Sequence, residues 1–306
     1  WSRGLGDVYK RQVLGTDFLH PVLDGRVARE ASALNDSGHK VTIICWARSV
    51  SGEPISAPQK EVVNGIHIHR VFAPVSTPEQ PLAKRIFQHI QAKRQLSLVL
   101  NSTDSDVIHF HDLDTAVISL FNEMRKPWIY DAHEDYSGMI SDLAWPLPTV
   151  ATLLERYVVS KSDGIITVSP SIMKRLASYG AKRRLMIFNS RTTEHFSSNV
   201  SSHEFRKELG IDSSKLILLY IGSLGPGRSV MEAIDAVNSS EKNHLILGGH
   251  GMWASKVSEA IRDSKNVTFL GTVPSDELPK YFSIADVILG MRDPSIPDHA
   301  ISLPNK

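Results

Sequence analysis

The sequence is poor in cysteine and has no long hydrophobic run. Cys45 is the one cysteine among 306 residues, so no disulfide can form within the chain, as suits a reducing cytoplasm. Cys45 lies in the apolar run 41–46, which is typical of a buried strand rather than of a nucleophile or a metal ligand. No apolar run approaches the ~18 residues that a membrane-spanning helix needs, and no signal peptide is visible. We therefore expect a cytoplasmic protein.

The chain also has no excess of either charge. It carries 34 basic and 33 acidic residues, a net charge of +1, which gives no support to a nucleic-acid partner. Its composition, 42% hydrophobic and 22% charged, is that of a globular protein. At ~100–200 residues per domain, the length predicts two domains.

Both ends of the chain differ from the rest. Residues 1–12 are polar and without period, and DVYKRQ resembles translated transposon-adapter sequence. We expect a non-native leader there and leave it out of the fold prediction. Residues 302–306 follow soon after the apolar run 286–290, with no helix to cover it. We therefore expect the second domain to be incomplete at its C-terminus.

Between these ends, short apolar runs alternate with helical segments, the pattern of βαβ units and parallel sheets. The predicted strands are 13–15, 41–45, 66–72, 107–111, 128–131, 164–168, 185–188, 216–221, 244–247, 267–270 and 287–289. The predicted helices are 26–37, 82–100, 114–123, 149–162, 171–179, 230–238, 253–263 and 276–282. Glycine just beyond two of them, at 38 and 180, is the expected C-terminal cap. The fold class is α/β, with two Rossmann-like, doubly wound parallel-sheet domains, 13–190 and 205–306, and a linker at 191–204.

A glycine-rich turn, residues 222–229, joins an apolar strand to a helix. Its glycines let backbone N–H groups approach an oxygen-rich ligand, and the helix N-terminus adds about half a positive charge. Arg228 ends the turn and can clamp the same anion. Ser229 and Glu232 have the spacing of a capping box. A glycine turn with a solvated arginine is the alternative interpretation.

Two polar clusters follow predicted strands of the first domain. HFHDLD spans 109–114 and DAHED spans 131–135. Ligands of doubly wound sheets bind at the carboxyl ends of strands, so these clusters are candidate site residues. His109 and His111 share one face of a strand, which zinc sites use, but the sequence shows no third set of ligands. We therefore expect no metal.

Two further segments allow two interpretations each. The turn 248–251 lacks the full glycine spacing of a dinucleotide fingerprint, so a close turn beneath a nucleotide base is the better interpretation of Gly249 and Gly251. The helix predicted at 82–100 has a basic face and an apolar face. It suits a membrane surface, although a core-packed helix with a solvated face is the more common case.

The chain resembles glycosyltransferase family 4, whose members have the GT-B fold, two such domains facing each other across a cleft. The resemblance covers nearly everything from Val13 to Lys306 and depends on motifs in the family's order. They are DGRVAREA at 24–31, SGHKVTI at 37–43, YDAHE at 130–134, ITVSPS at 166–171, FN at 188–189, GSL at 222–224, GR at 227–228, LGGHG at 247–251, VTFLG at 267–271, AD at 285–286 and LPNK at 303–306.

This resemblance implies transfer of a sugar from a nucleotide-diphosphate donor, such as a UDP-sugar, to an acceptor hydroxyl, with retention at the anomeric carbon and without a metal or other cofactor. The donor diphosphate is then expected at Gly222, Arg228 and Ser229, with Gly25 approaching it from the first domain. Backbone amides, a helix N-terminus and a guanidinium stabilise the charge of the leaving diphosphate.

The resemblance also implies roles in the first domain. His133 matches the family position that contacts the donor sugar near the reacting carbon; a histidine that closes a strand end by bonding backbone is the alternative. Glu134 is expected to orient His133 or to accept the acceptor proton, unless it is a solvated surface carboxylate. Asp112 is the candidate for contact with the acceptor.

The chain departs from the family pattern in two places. Many members carry a lysine shortly after the arginine of the phosphate turn, whereas Arg228 is followed by Ser229 and Val230. Family members also carry two glutamates near the donor ribose, seven residues apart. No glutamate stands in 298–306 for the first, and the chain ends where the second should follow, which puts ribose recognition and the activity of this chain in doubt. A polysaccharide or lipid-linked acceptor, at the inner face of the membrane, is implied by analogy. A sugar-nucleotide epimerase of related fold and a non-catalytic partner subunit remain the alternatives.

Overall fold

A computed structural model describes residues 11–16, 25–47, 57–74, 80–139, 146–188, 201–274 and 277–293. The chain forms two compact units, Trp1–Asn189 and Ser190–Lys306. The boundaries that the sequence predicts for domains and linker stay predictions beside this division.

The first unit alternates strands and helices. Its strands are β1 (Arg11–Thr16), β2 (Lys40–Trp46), β3 (Lys60–Val63), β4 (Ile66–Val71), β5 (Val107–His111), β6 (Trp128–Ala132), β7 (Gly164–Thr167) and β8 (Arg184–Met186). Its helices are α1 (Gly25–Asp36), α2 (Leu82–Ser102), α3 (Asp112–Ala116), α4 (Tyr136–Met139), α5 (Leu147–Lys161) and α6 (Pro170–Ala177), with a 3-10 helix at Val117–Phe121.

These strands make one eight-stranded sheet in the order β3-β4-β2-β1-β5-β6-β7-β8. Every pairing is parallel except that of β3 with β4. From β1 the chain adds strands on one side through β2 and β4, and then on the other side from β5 to β8. The order reverses between β1 and β5, and ligands of doubly wound sheets bind at such a switch point.

The second unit is smaller. Its strands are β9 (Leu216–Ile221), β10 (Asn243–Gly248), β11 (Val267–Gly271) and β12 (Val287–Ile288), and its helices are α7 (Ser202–Glu208), α8 (Val230–Asn238), α9 (Ala254–Ala260) and α10 (Leu278–Ile284). They form a parallel sheet in the order β11-β10-β9-β12. The chain moves from β9 through β10 to β11 and then crosses to the other side of β9, so β9 borders the switch point.

Each sheet buries apolar side chains on helices. Val27 and Ala31 of α1 pack on Val41 and Ile43 of β2 in the first unit. In the second unit, Val230, Ile234 and Val237 of α8 pack against β9 and β10. Their spacing of three and four residues places them on one face of the helix, which is why the α8 bounds agree with the prediction.

The α/β class is confirmed, but several bounds and elements differ from the prediction. β1 begins at Arg11, inside the segment set aside as a leader, because residues 11 and 12 pair with Lys40 and Val41. α7 begins inside the predicted linker. The hairpin of β3 and β4 was missed, although Asn64-Gly65 is the dipeptide typical of a tight hairpin turn, and both residues have positive φ.

Glycine ends two helices as predicted. Gly38 and Gly180 have φ of 83° and 90° and follow α1 and α6. No described helix combines the length and the hydropathy needed to cross a membrane.

Candidate active site

The first cluster lies where β5 and β6 end, next to the switch point. β5 places His109 and His111 on one face with their rings stacked, centroids 4.4 Å apart. β6 brings Asp131 beside them, and His133 follows directly after the strand. Both sequence segments that carried polar clusters therefore meet at one edge of the sheet.

Arg26 of α1 reaches into the same cluster and is buried. It donates to both carboxylate oxygens of Asp131, with Nη2 at 2.9 Å from Oδ2, and its Nη1 donates to the Ile187 carbonyl at 3.2 Å. Its Nε lies 2.8 Å from Oε1 of Glu30, one helical turn along α1. This guanidinium ties the start of α1 to β6 and to the chain after β8.

His133 is held between two carboxylates. Its backbone N–H donates to Asp112 Oδ1 at 2.8 Å, and its Nδ1 lies 3.4 Å from Asp112 Oδ2. Its Nε2 lies 3.3 Å from Asp131 Oδ2 and 3.1 Å from His111 Nδ1. Asp112 has a left-handed backbone, φ 61°, which turns the chain from β5 into α3. In this structure Asp112 therefore orients His133.

The pKa values in the cluster follow from burial and from these charges. Burial alone lowers the pKa of His133, but Asp112 and Asp131 outweigh it and raise that pKa to about 9. Burial, together with His109 and His133, holds the pKa of His111 well below its usual value. Burial raises the pKa of Asp131, yet the neighbouring imidazoles of His109 and His133 bring it well below its usual value. His133 is thus a cation beside neutral His111 at neutral pH.

Behind this cluster a buried network fixes β6. Glu155 of α5 is fully buried, accepts the Tyr130 hydroxyl at 3.0 Å and pairs with Arg175 of α6. Arg175 Nη2 lies 2.9 Å from Asp135 Oδ1. The segment that carries His133 is thereby anchored on both sides, through Tyr130 and Asp135.

The second candidate site is the turn between β9 and α8. Gly227 at the turn has φ 70°, and its carbonyl accepts the N–H of Asp293 at 2.9 Å. Arg228 is partly buried, and no ion pair joins it to a carboxylate among the residues that the structure describes.

The predicted capping box at Ser229 and Glu232 is wrong. Ser229 is the N-cap of α8, but its backbone is left-handed, φ 46° and ψ 33°, and its hydroxyl makes no capping bond. A capping serine needs an extended backbone to aim its oxygen at the first amides. The Ser229 side chain therefore accepts no hydrogen bond from the first N–H groups of α8, which leaves these groups available to an anion.

Gly249 and Gly251 have an evident structural role. Their φ values are 142° and 147°, and a Cβ on Gly249 would lie 1.7 Å from the Gly222 carbonyl oxygen. A Cβ on Gly251 would lie 2.3 Å from the Leu224 oxygen. The N–H of Gly222 donates to the Gly248 carbonyl, and the N–H of Leu224 donates to the His250 carbonyl. These two hydrogen bonds join the two turns. These glycines allow the turn between β9 and α8 to pack directly on the turn after β10.

Two other predicted residues lie apart from these contacts. Gly25 begins α1, and among the described residues a Cβ there would meet Arg29 alone, at 3.4 Å, so their packing does not require glycine. Glu134 is exposed after β6.

Sequence reasoning missed Arg26, Glu30 and Arg292 as site residues. Arg26 and Glu30 are four apart on α1, a spacing that predicts an ion pair, but their partner Asp131 is distant in sequence. Arg292 follows β12 and precedes Asp293, whose N–H donates to the Gly227 carbonyl. Burial raises the pKa of Tyr220, and the charges of Arg228 and Arg292 both act to lower it. No sequence signal places Arg292 there.

Two Rossmann-like units, each with polar groups at a switch point, define a two-unit protein of the GT-B type. The family model "Glycosyltransferase Family 4" matches residues 26–189, and the model "Glycosyl transferases group 1" matches residues 201–290. The chain belongs to glycosyltransferase family 4, and the resemblance in its motifs is confirmed. It is a glycosyltransferase.

Solved structures show the same fold. Sucrose-phosphate synthase from Thermosynechococcus elongatus aligns with a TM-score of 0.73 at 15% identity, covering 96% of this chain and 77% of that one. The catalytic domain of starch synthase IV from Arabidopsis thaliana, bound to ADP and acarbose, aligns with a TM-score of 0.62 at 14% identity over 92% and 78%. Anabaena Alr3699/HepE, in complex with UDP and glucose, aligns at 0.60 and 12% identity over 92% and 73%. Curated protein sequences give no significant match.

Proposed function

We propose that this glycosyltransferase moves a sugar from a nucleoside-diphosphate donor to an acceptor hydroxyl, with retention of the anomeric configuration. The observation that carries the proposal is the turn between β9 and α8, where Arg228 stands beside helix amides that their cap leaves without a side-chain acceptor. The turn leaves β9 at the switch point of the second sheet.

The chemistry of the leaving group favours this assignment. Departure of a nucleoside diphosphate builds negative charge on the leaving oxygen, and preorganised donors stabilise that charge best. The α8 N-terminus, the N–H group of Ser229 and the guanidinium of Arg228 supply such donors. The N–H of Gly222 already donates to the Gly248 carbonyl at 2.9 Å, so Gly222 shapes the turn rather than donating to the diphosphate. Gly25, which packing does not constrain, is proposed to approach the same diphosphate from the first unit.

Arg292 is proposed as the second cation of the donor site. The residue after Arg228 is serine, so the lysine that many family members carry there is missing. The N–H of Asp293 holds the segment after β12 to the Gly227 carbonyl at 2.9 Å, which keeps Arg292 near the turn. Both arginines act to lower the pKa of the Tyr220 hydroxyl, which burial raises, and this hydroxyl donates to the Ser223 carbonyl at 2.7 Å.

In the first unit, His133 is proposed to contact the donor sugar near the reacting carbon. Asp112 and Asp131 fix both of its ring nitrogens, which is the preorganisation that a group at a reacting centre needs. We assign Glu134, which is exposed, to the acceptor proton. Asp112, proposed from sequence to touch the acceptor, is better supported as the residue that positions His133.

Base and acceptor are also proposals. The starch synthase and HepE structures hold ADP and UDP, and we propose a UDP-sugar for this chain, with Gly249 and Gly251 beneath the base. A lipid-linked acceptor, in polysaccharide or glycolipid synthesis at the membrane face, would match the surface around α2. There, Leu82, Ile86 and Phe87 are about half exposed next to Lys84 and Arg85.

An apolar groove of about 430 Å³ lies against the same helix. Apolar side chains of α2, the 3-10 helix and α5 line it, and Lys93 and Arg85 border it. Cosedimentation of the chain with anionic vesicles, reduced in Phe87→Glu and unchanged in Leu216→Glu, an equally exposed apolar site of the second unit, supports this surface. Equal binding of both variants contradicts it.

Donor turnover tests the function. UDP-glucose and other nucleotide sugars are incubated with the chain and with bacterial lipid extract, and release of nucleoside diphosphate is measured beside the anomeric configuration of the product. We expect the wild-type chain to release nucleoside diphosphate, and His133→Ala to lower the rate of release by about 100-fold or more. His67 is an exposed histidine on β4, and His67→Ala should leave the rate unchanged. Interconversion of the sugar without transfer would instead support the epimerase, and binding without turnover the partner subunit.

A further inference from the structure

Four metal-ligating side chains from three elements meet beneath His133. Glu30 comes from α1, His109 and His111 from β5 and Asp131 from β6. One donor atom of each lies within 4.8 Å of the donor atoms of the other three. The sequence showed only the histidine pair, because Glu30 is distant from it along the chain.

The two histidines have ring nitrogens that no described group satisfies. His109 and His111 are 5% and 3% exposed, and within the described ranges their Nε2 atoms have no hydrogen-bond partner. A buried polar atom without a partner is costly, so each such atom needs an explanation. Both Nε2 atoms lie 3.9 Å from the same oxygen, Glu30 Oε2, and His109 Nε2 lies 3.5 Å from Asp131 Oδ2.

Arg26 leaves that oxygen open to the histidines. Its Nε lies 2.8 Å from Oε1 of Glu30, and Nε and Nη2 both donate to Asp131 Oδ2, at 3.2 and 2.9 Å. Donor atoms around a tetrahedral zinc ion stand about 3.4 Å apart, given bonds of about 2.0–2.2 Å. The observed separations of 3.5 and 3.9 Å, within a set that spans up to 4.8 Å, therefore need to shrink by about 0.1 to 1.4 Å to enclose an ion.

We propose that Glu30 Oε2, His109 Nε2 and His111 Nε2 bind a divalent transition-metal ion of the zinc class, with Asp131 Oδ2 as the fourth ligand. Two imidazoles and two carboxylates suit such an ion better than Mg²⁺ or Ca²⁺, which prefer oxygen ligands. The ion joins α1, β5 and β6, the elements that position His133. It has a structural role, distinct from the donor site of the second unit.

Cobalt and zinc binding to the metal-stripped full chain tests the site. We expect one Co²⁺ per chain with the visible absorption of four-coordinate cobalt, and a Zn²⁺ affinity that falls at least about tenfold in His109→Ala and in Glu30→Gln. His67→Ala, on β4 of the same sheet, is the matched control and should bind as the wild type does. No cobalt absorption, or absorption that persists in both ligand variants, overturns the proposal.

A second measurement does not depend on the folding of a variant. X-ray absorption of the zinc-loaded wild-type chain should show two imidazole ligands, and zinc without imidazole ligands overturns the site. Arg26→Met removes the neighbouring positive charge, so Zn²⁺ should raise its melting temperature more than that of the wild type. An equal or smaller rise contradicts the placement of the ion beside Arg26.

Discussion

Among the described residues, Asp112 and Ser229 have a left-handed backbone where a helix begins, Asp112 directly after β5 and Ser229 at the end of the turn that follows β9. Their φ values are 61° and 46°, a conformation that costs a residue other than glycine about 1–3 kcal/mol. Asp112 uses the turn to bring its carboxylate to His133. At Ser229 the same conformation leaves the hydroxyl without a hydrogen bond to the helix amides. Neither conformation could be predicted from sequence, since the Ser229 motif indicated ordinary capping.

Gly249→Ala should destabilise the second unit. The new methyl group would lie 1.7 Å from the Gly222 carbonyl oxygen, so the turn after β9 and the turn after β10 would have to separate. We expect a loss of about 2 kcal/mol or more in the free energy of unfolding, measured by urea denaturation.

Gly225→Ala is the matched control, because a Cβ on Gly225 meets no atom within 4 Å. It should change stability by less than about 0.5 kcal/mol. Equal stability of Gly249→Ala and the wild type would show that the two turns are not packed as described.

Regular elements were the most predictable part of the chain, because their signals are local. The α8 helix and the β9 strand agree with their predicted bounds, since each has an uninterrupted apolar pattern. β3 was missed because it is only four residues long and begins with two charged residues, Lys60 and Glu61. α3 begins at Asp112 rather than at Asp114, since the turn at Asp112 starts the helix directly after β5.

Glu155→Ala should weaken the link between β6 and the helices α5 and α6. The substitution leaves Arg175 and the Tyr130 hydroxyl without their buried partner. Breaking a buried ion pair costs about 3–5 kcal/mol, and we expect a loss of that size in chemical denaturation of the first unit.

Glu123→Ala serves as the control, because its pair with Arg125 is more than four-fifths exposed. Its effect should stay within about 0.5 kcal/mol. A similar effect of the two substitutions would mean that Glu155 is not part of a buried network.

His244 makes the pairing of β10 with β11 sensitive to pH. Its ring bonds Thr268 Oγ1 at 2.8 Å, and burial and then Lys215 lower its pKa below the usual 6.5. The unfolded chain therefore takes up the proton first as pH falls, so this contribution to stability is complete above about pH 6.5 and declines below it. Hydrogen exchange of β10 amides should show wild-type protection, relative to His244→Gln, that shrinks from about pH 7.5 to about pH 5.5.

Comparison with His244→Gln at each pH cancels the intrinsic pH dependence of exchange. A protection ratio that stays constant, or that grows as the solution is acidified, would contradict the lowered pKa of His244.

For the whole molecule, the sequence predicted the fold and family but only part of each site. Alternating strands and helices determine two doubly wound sheets, and the strand ends identify the segments around His133 and Arg228. Long-range partners carry no local signal. The bond of Arg26 to Asp131 spans 105 residues, and the Asp293 N–H meets the Gly227 carbonyl across 66 residues, after β12 has paired with β9.

Donor binding by the turn between β9 and α8 is the central claim, and calorimetric titration of the chain with UDP, GDP and ADP tests it most directly. We predict that one diphosphate binds, most favourably UDP, and that Arg228→Ala and Arg292→Ala each weaken it by about 10- to 100-fold. Arg262→Ala, an exposed arginine of the same unit, should bind as the wild type does. Wild-type affinity in Arg228→Ala, or no binding of any diphosphate by the folded chain, would contradict the account.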